Sequence, residues 1–149
     1  TNRAVRAYTE RYYLPAATAY RARAARGGEI GRDIVDWCRG LDQAWETLSF
    51  GRIRTETLGE EHVFRVEVYC GDLGADDVRV ELYADARGED SPVCVQMTRA
   101  SGLTASDGYS IYSAAVGATR APIDFTVRVL PERAGVAIPL EASHILWQR

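Results

Sequence analysis

His62-Val63-Phe64-Arg65-Val66-Glu67-Val68-Tyr69-Cys70 decides the fold class. Phe64, Val66 and Val68 alternate with Arg65, Glu67 and Tyr69, a period of two that only a half-buried β-strand produces. The pattern returns at Val78, Val80 and Leu82, opposed by Arg79, Glu81 and Tyr83. Upstream, Ile53, Thr55 and Thr57 alternate with Arg52, Arg54 and Glu56. Downstream come Val93, Val95 and Met97, then Tyr109 and Ile111, then Ile123, Phe125, Val127 and Val129, and finally Ile145 and Trp147. Turn-forming clusters such as Gly71-Asp72-Leu73-Gly74 and Ser106-Asp107-Gly108 separate the runs, and residues 84–91 and 100–108 read as polar loops. About seven short strands in a hundred residues fit an antiparallel sandwich of immunoglobulin-like or fibronectin-like type.

Before residue 50 the period is helical. Val5, Tyr8 and Tyr12 share one stripe. Pro15 lacks a backbone donor and predicts an end or kink near Tyr13-Leu14, and the alanine-rich run to Arg26 stops at Gly27-Gly28. A second helix, Ile30 to Leu48, carries Ile30, Ile34, Trp37, Leu41, Ala44 or Trp45, and Leu48 on one seam, with Gly40 marking close packing against a neighbour. The expected organisation is therefore mainly β: two helices in a segment 1–49, then a sandwich at 50–149.

The chain has 149 residues, 46% apolar and 26% charged, enough for a self-supporting core. All 18 basic residues are arginine. GC-rich codon usage explains such a bias, but the chemical exclusion holds whatever its origin: no lysine Schiff base, P-loop lysine or lysine general base exists here. Net charge of −3 argues against a general nucleic-acid binder. The balance is uneven: residues 1–26 hold six arginines against one glutamate, and residues 27–149 hold twelve against twenty acids. Cys38, Cys70 and Cys94 form no paired spacing, which suits a reducing cytoplasm. No apolar run reaches membrane-spanning length, so no membrane partner is expected.

Catalytic constellations fail on composition. His62 and His144 are the two imidazoles, neither in a nucleophile signature, and both read as structural. Catalytic, cofactor-binding and metal residues are accordingly none. Acidic pairs such as Asp76-Asp77, Glu60-Glu61 and Glu89-Asp90 read as solvated turns. Trp37, Trp45 and Trp147 read as core. Tyr69, Tyr83 and Tyr112 alternate outward on the strand reading, and aromatic rings on an exposed sheet face can stack on sugars, so these three are the candidate glycan contacts.

Ala7-Tyr8-Thr9-Glu10-Arg11-Tyr12-Tyr13-Leu14-Pro15-Ala16 resembles a stretch near the C-terminal end of bacterial α-glucan (glycogen, maltodextrin) phosphorylases. The tail, Phe125 to Pro131, then Pro139 to Ala142 and Ile145 to Trp147, looks like the closing strands of the same family. Where the family carries a histidine- and proline-containing turn, this chain has Glu132-Arg133-Ala134.

The resemblance implies a parent glycosyltransferase that cleaves α-1,4-glucan with phosphate to give glucose 1-phosphate, with pyridoxal phosphate on a lysine of its catalytic body. None of those motifs maps here. The implied chain is a non-catalytic C-terminal region whose first helix packs on the catalytic body. It would serve packing, oligomer contact or weak glucan docking. Two rivals remain: a free-standing carbohydrate-binding sandwich, and an interaction domain that homodimerises through its helices.

Overall fold

The structure, a computed structural model, describes residues 2–88, 90–104 and 108–148, with side chains except at positions 2 and 101–104. The expected turn at Ser106-Asp107 and the acid Glu89 lie outside the described residues. The chain forms two compact units, Thr1–Gly40 and Leu41–Arg149. Helix and strand take similar shares, about 36% each, so a mixed composition replaces the mainly β expectation.

In the helical unit, α1 (Asn2–Tyr8) runs into a π-helical turn (Thr9–Tyr13) and then α2 (Leu14–Ala44). Pro15 does not break the helix. Its ring would clash with the carbonyl four residues back, and the wider turn relieves this, with the Leu14 N–H donating to the Thr9 carbonyl five residues away. Gly27-Gly28 interrupt the helical backbone as expected: α2 is kinked across four non-helical residues, with Ala25 extended and Arg26, Gly27 and Gly28 at φ of 52°, 67° and 81°. α2 ends at Ala44, short of Leu48, and a 3₁₀ turn (Trp45–Thr47) leads into the strands. The expected close packing at Gly40 is absent: a side chain built there meets nothing within 4 Å.

The β unit holds two antiparallel four-stranded sheets. β1 (Ser49–Leu58), β2 (Glu61–Tyr69), β5 (Thr98–Thr104) and β6 (Tyr109–Gly117) form the first, ordered β1-β2-β6-β5. β3 (Val78–Ala84), β4 (Val93–Gln96), β7 (Thr126–Pro131) and β8 (Leu146–Trp147) form the second, ordered β4-β3-β7-β8. Phe64, Val66 and Val68 of β2 share one core with Val80 and Leu82 of β3 and Val127 and Val129 of β7. Phe64 and Phe125 rings meet at 5.6 Å. Burying such aliphatic side chains contributes roughly 1.5–3 kcal/mol each, which is what holds the two sheets together.

Several parity expectations are corrected. In β6 the inward row is Tyr112, Ala114 and Val116, not Tyr109 and Ile111, because Tyr112 pairs with inward Val66 and Ala114 with inward Phe64. In β8 it is Leu146 that packs on the core, leaving Trp147 39% exposed. Ile123 falls in a 3₁₀ turn (Pro122–Asp124) and is exposed. Residues 100–104, expected in a loop, belong to β5.

Candidate functional site

The three candidate tyrosines do not share a surface. Tyr112 is buried, a consequence of the β6 parity, and burial with the neighbouring Cys70 thiol pushes its phenol up to about 12. Tyr69, 37% exposed, stands on the outer face of the first sheet, its ring 5.5 Å from that of Tyr109. Tyr109 can lie there because Gly51 has no side chain: a Cβ at that position would approach its ring at 2.9 Å. Tyr83 stands on the outer face of the second sheet, where its hydroxyl donates to Asp85 at 3.1 Å.

Around Tyr83 the structure assembles a cluster that alternation alone does not reveal. The Arg128 guanidinium lies 4.5 Å from the Tyr83 ring centroid and 5.3 Å from that of Trp147, and the two rings meet edge-on at 5.4 Å. Beneath them Glu81 is buried although it sits on the outward parity of β3. Its carboxylate accepts from Arg79 Nε at 2.7 Å, from Arg128 Nε at 2.8 Å and Nη2 at 2.7 Å, and from the Cys94 thiol at 3.1 Å. Arg79 also donates to Glu132 at 2.6 Å. Burial pushes Glu81 up, but the thiol and the two guanidiniums outweigh it and hold the carboxyl below its usual range. Burial and the adjacent carboxylate push the Cys94 thiol the other way, up. Two positive and two negative side chains close on one another across β3, β4, β7 and the Arg79–Glu132 link, so this face is internally neutralised.

Both histidines are engaged. His62 is buried, its Nε2 donates to the Arg120 carbonyl at 2.9 Å, and its Nδ1 shares a hydrogen bond with the Thr57 hydroxyl at 2.8 Å. His144 lies just before β8 rather than in it; its Nε2 is 3.1 Å from Asp42 and its ring rests 5.1 Å from Trp45. Trp45 packs against the core, as expected, and Trp37 is half-buried. A cleft of about 610 Å³ opens beside the β4–β5 crossover, lined by Asp76, Arg79, Gln96, Thr98 and Arg99, with Arg99 at 3.6 Å from Asp76. In the helical unit, Tyr8, Tyr12 and Tyr13 are all more than half exposed, and the Tyr8 ring meets Tyr12 tilted at 4.9 Å and Tyr13 edge-on at 5.6 Å. The π turn is what brings Tyr13, five residues on, to the same face as Tyr8.

These features define a two-sheet antiparallel β domain carried behind a helical run whose aromatic face is exposed. Residues 45–149 match the family described as glycogen phosphorylase C-terminal domain, and the chain belongs to that family. Glycogen phosphorylases of Mycobacterium tuberculosis and Mycobacterium bovis are each 32% identical to it over 141 residues, 87% of this chain and 16% of theirs. The chain thus spans about one-sixth of the length of the curated relatives it matches. No solved structure matches it. No described helix is long and apolar enough to cross a membrane.

Proposed function

We propose that the chain is a non-catalytic C-terminal part of an α-glucan phosphorylase, in which the helical run docks on the remainder of that enzyme and the β unit anchors it. The parent reaction is phosphorolysis of α-1,4-glucan to glucose 1-phosphate, a glycosyl transfer. The carrying observation is the exposed Tyr8–Tyr12–Tyr13 cluster on a segment of local charge +5. Aromatic faces of this size need a cover, and relatives about six times longer supply one in the rest of their own chain. Arginines on that segment favour an acidic docking surface. The pyridoxal phosphate implied by the resemblance does not fit this chain, which offers no lysine side chain for its aldehyde; the cofactor belongs to the remainder.

The strand orders support an immunoglobulin-like reading of the sandwich: β1-β2-β6-β5 follows the A-B-E-D sheet, and β3-β7-β8 follows C-F-G with β4 beside C. Unpaired Cys38, Cys70 and Cys94 suit a reducing cytoplasm. Weak glucan docking is a second reading, favoured by the exposed Tyr69 ring beside Tyr109; retardation in glycogen gels that Tyr69→Ala abolishes supports it. The leading reading is tested in the complete protein encoded by the reading frame that contains Thr1. A phosphorylase body upstream is expected, and Tyr12→Asp with Tyr13→Asp should lower the melting temperature of that protein while leaving the melting temperature of the isolated 149-residue chain unchanged. A frame without such a body, or an unshifted melting curve, sinks the docking role.

A further inference from the structure

We propose that the outer face of the first sheet carries an oxyanion site that takes a phosphate group between Arg52, Arg54 and Arg65. These three side chains, with Glu67 and Ile111, line a pocket of about 180 Å³. Arg54 and Arg65 are directly opposite one another in the β1–β2 register. Like charges at opposed positions, with Cβ atoms about 5 Å apart, destabilise a sheet. An anion seated between them removes that repulsion.

The rest of the β unit handles its arginines differently. Arg79 and Arg128 close on Glu81 and Glu132, and Arg87 donates to Asp124 at 2.7 Å. Among the described residues, Arg52 and Arg54 have no ion-pair partner. Arg65 reaches Glu56 at 3.5 Å, with both side chains about half exposed, a contact of little strength. The guanidinium fork matches a tetrahedral oxyanion through paired N–H donors, and Ile111 gives the pocket one apolar wall. Glu67 selects among anions. Its carboxylate is fixed by the Arg52 backbone N–H at 3.1 Å and can only accept. A phosphate that still carries a proton can donate to it; sulfate cannot. The source is either free phosphate or a phosphate ester on a sugar, and the shared chemistry is the phosphate group.

The test follows arginine Nε–Hε resonances of the 149-residue chain during titration with sodium phosphate at constant ionic strength. Saturable shifts at Arg52, Arg54 and Arg65, at least tenfold weaker binding in Arg54→Gln, and weaker binding of sulfate are the expected results. Without phosphate, Arg54→Gln should melt higher than the parent because the opposed pair is gone; Arg39→Gln, whose arginine pairs with Asp36 on α2, should bind phosphate as the parent does. A hexose phosphate binding tighter than phosphate, with the free hexose silent, assigns the ester; equal or weaker binding assigns free phosphate. Shifts that chloride reproduces, phosphate binding unchanged in Arg54→Gln and Arg65→Gln, or a lower melting temperature for Arg54→Gln overturns the proposal.

Discussion

Replacing Glu81 by Gln keeps the shape of the side chain and removes the charge at the centre of the second sheet's outer face. Four donor contacts converge on that carboxylate at 2.7–3.1 Å, while its side chain is 8% exposed and those of Arg79 and Arg128 are 25% and 18% exposed. Breaking a fully buried pair costs about 3–5 kcal/mol, mostly as an uncompensated charge. Arg79 keeps Glu132 and both guanidiniums keep some water, so about 2–3 kcal/mol is expected here. For a β unit near one hundred residues that lowers the melting temperature by roughly 10–20 °C. Urea unfolding should give the same loss through its midpoint with an unchanged slope. The pH dependence carries a sign. Glu81 titrates below its usual value when folded, so its contribution is complete above the unfolded carboxylate range and is lost as pH falls through the folded value. The gap between parent and variant must therefore narrow in acid. Arg128→Gln added to Glu81→Gln should recover part of the loss by removing the stranded cation. A loss under about 0.5 kcal/mol, or a gap independent of pH, would refute the idea that this cluster is a desolvated unit.

Tyr112, raised to about 12 by burial and the nearby Cys70 thiol, holds its proton more tightly folded than unfolded. Stability is then retained below pH 10 and falls by about 2–3 kcal/mol as pH rises from 10 to 12; ultraviolet tyrosinate titration should show delayed phenols, Tyr83 being raised as well by its hydrogen bond to Asp85, and Tyr112→Phe should remove the component near 12. Gly71 and Gly88 share a φ of 59°, but a Cβ at Gly71 collides with the Thr47 hydroxyl whereas one at Gly88 meets nothing within 4 Å. Gly88→Ala should cost about 1 kcal/mol of backbone strain and Gly71→Ala at least twice that in denaturant unfolding; equal losses would mean that the Thr47 turn gives way freely.

The core strands β2 and β3 are legible because their apolar residues occupy one parity alone. β6 is not: Tyr109 and Ile111 stand on one parity, Tyr112, Ala114 and Val116 on the other. Side-chain size favours the first and the pairing to Val66 and Phe64 selects the second, and a sequence read strand by strand has no access to its partner. β5 escaped for the opposite reason, since an edge strand reading Thr98-Arg99-Ala100-Ser101-Gly102-Leu103-Thr104 needs no apolar row. Pro15 is legible as a disruption near Tyr13-Leu14, but not its form: one widened turn accommodates the ring without ending the helix. Glu81 reads as an exposed strand residue until β7 brings Arg128 beside it from 47 positions away.

That last contact changes what the two outer faces can do. Trp147, Tyr83, Arg128 and Glu81 are the residue types a sugar platform would use, yet in the second sheet they are spent on one another: Arg128 covers both rings and Glu81 answers both guanidiniums. A ligand there would have to displace a neutral, half-buried cluster before gaining anything. The first sheet has the reverse arrangement. Its Arg54 and Arg65 are opposed to each other, its carboxylate Glu67 is held by backbone, and its Tyr69 ring, tilted against Tyr109, is partly exposed. Capacity to bind follows unsatisfied groups more closely than residue type. On that ground the first sheet's outer face is the better candidate for the proposed phosphate site, while the second sheet's cluster is committed to its own internal contacts.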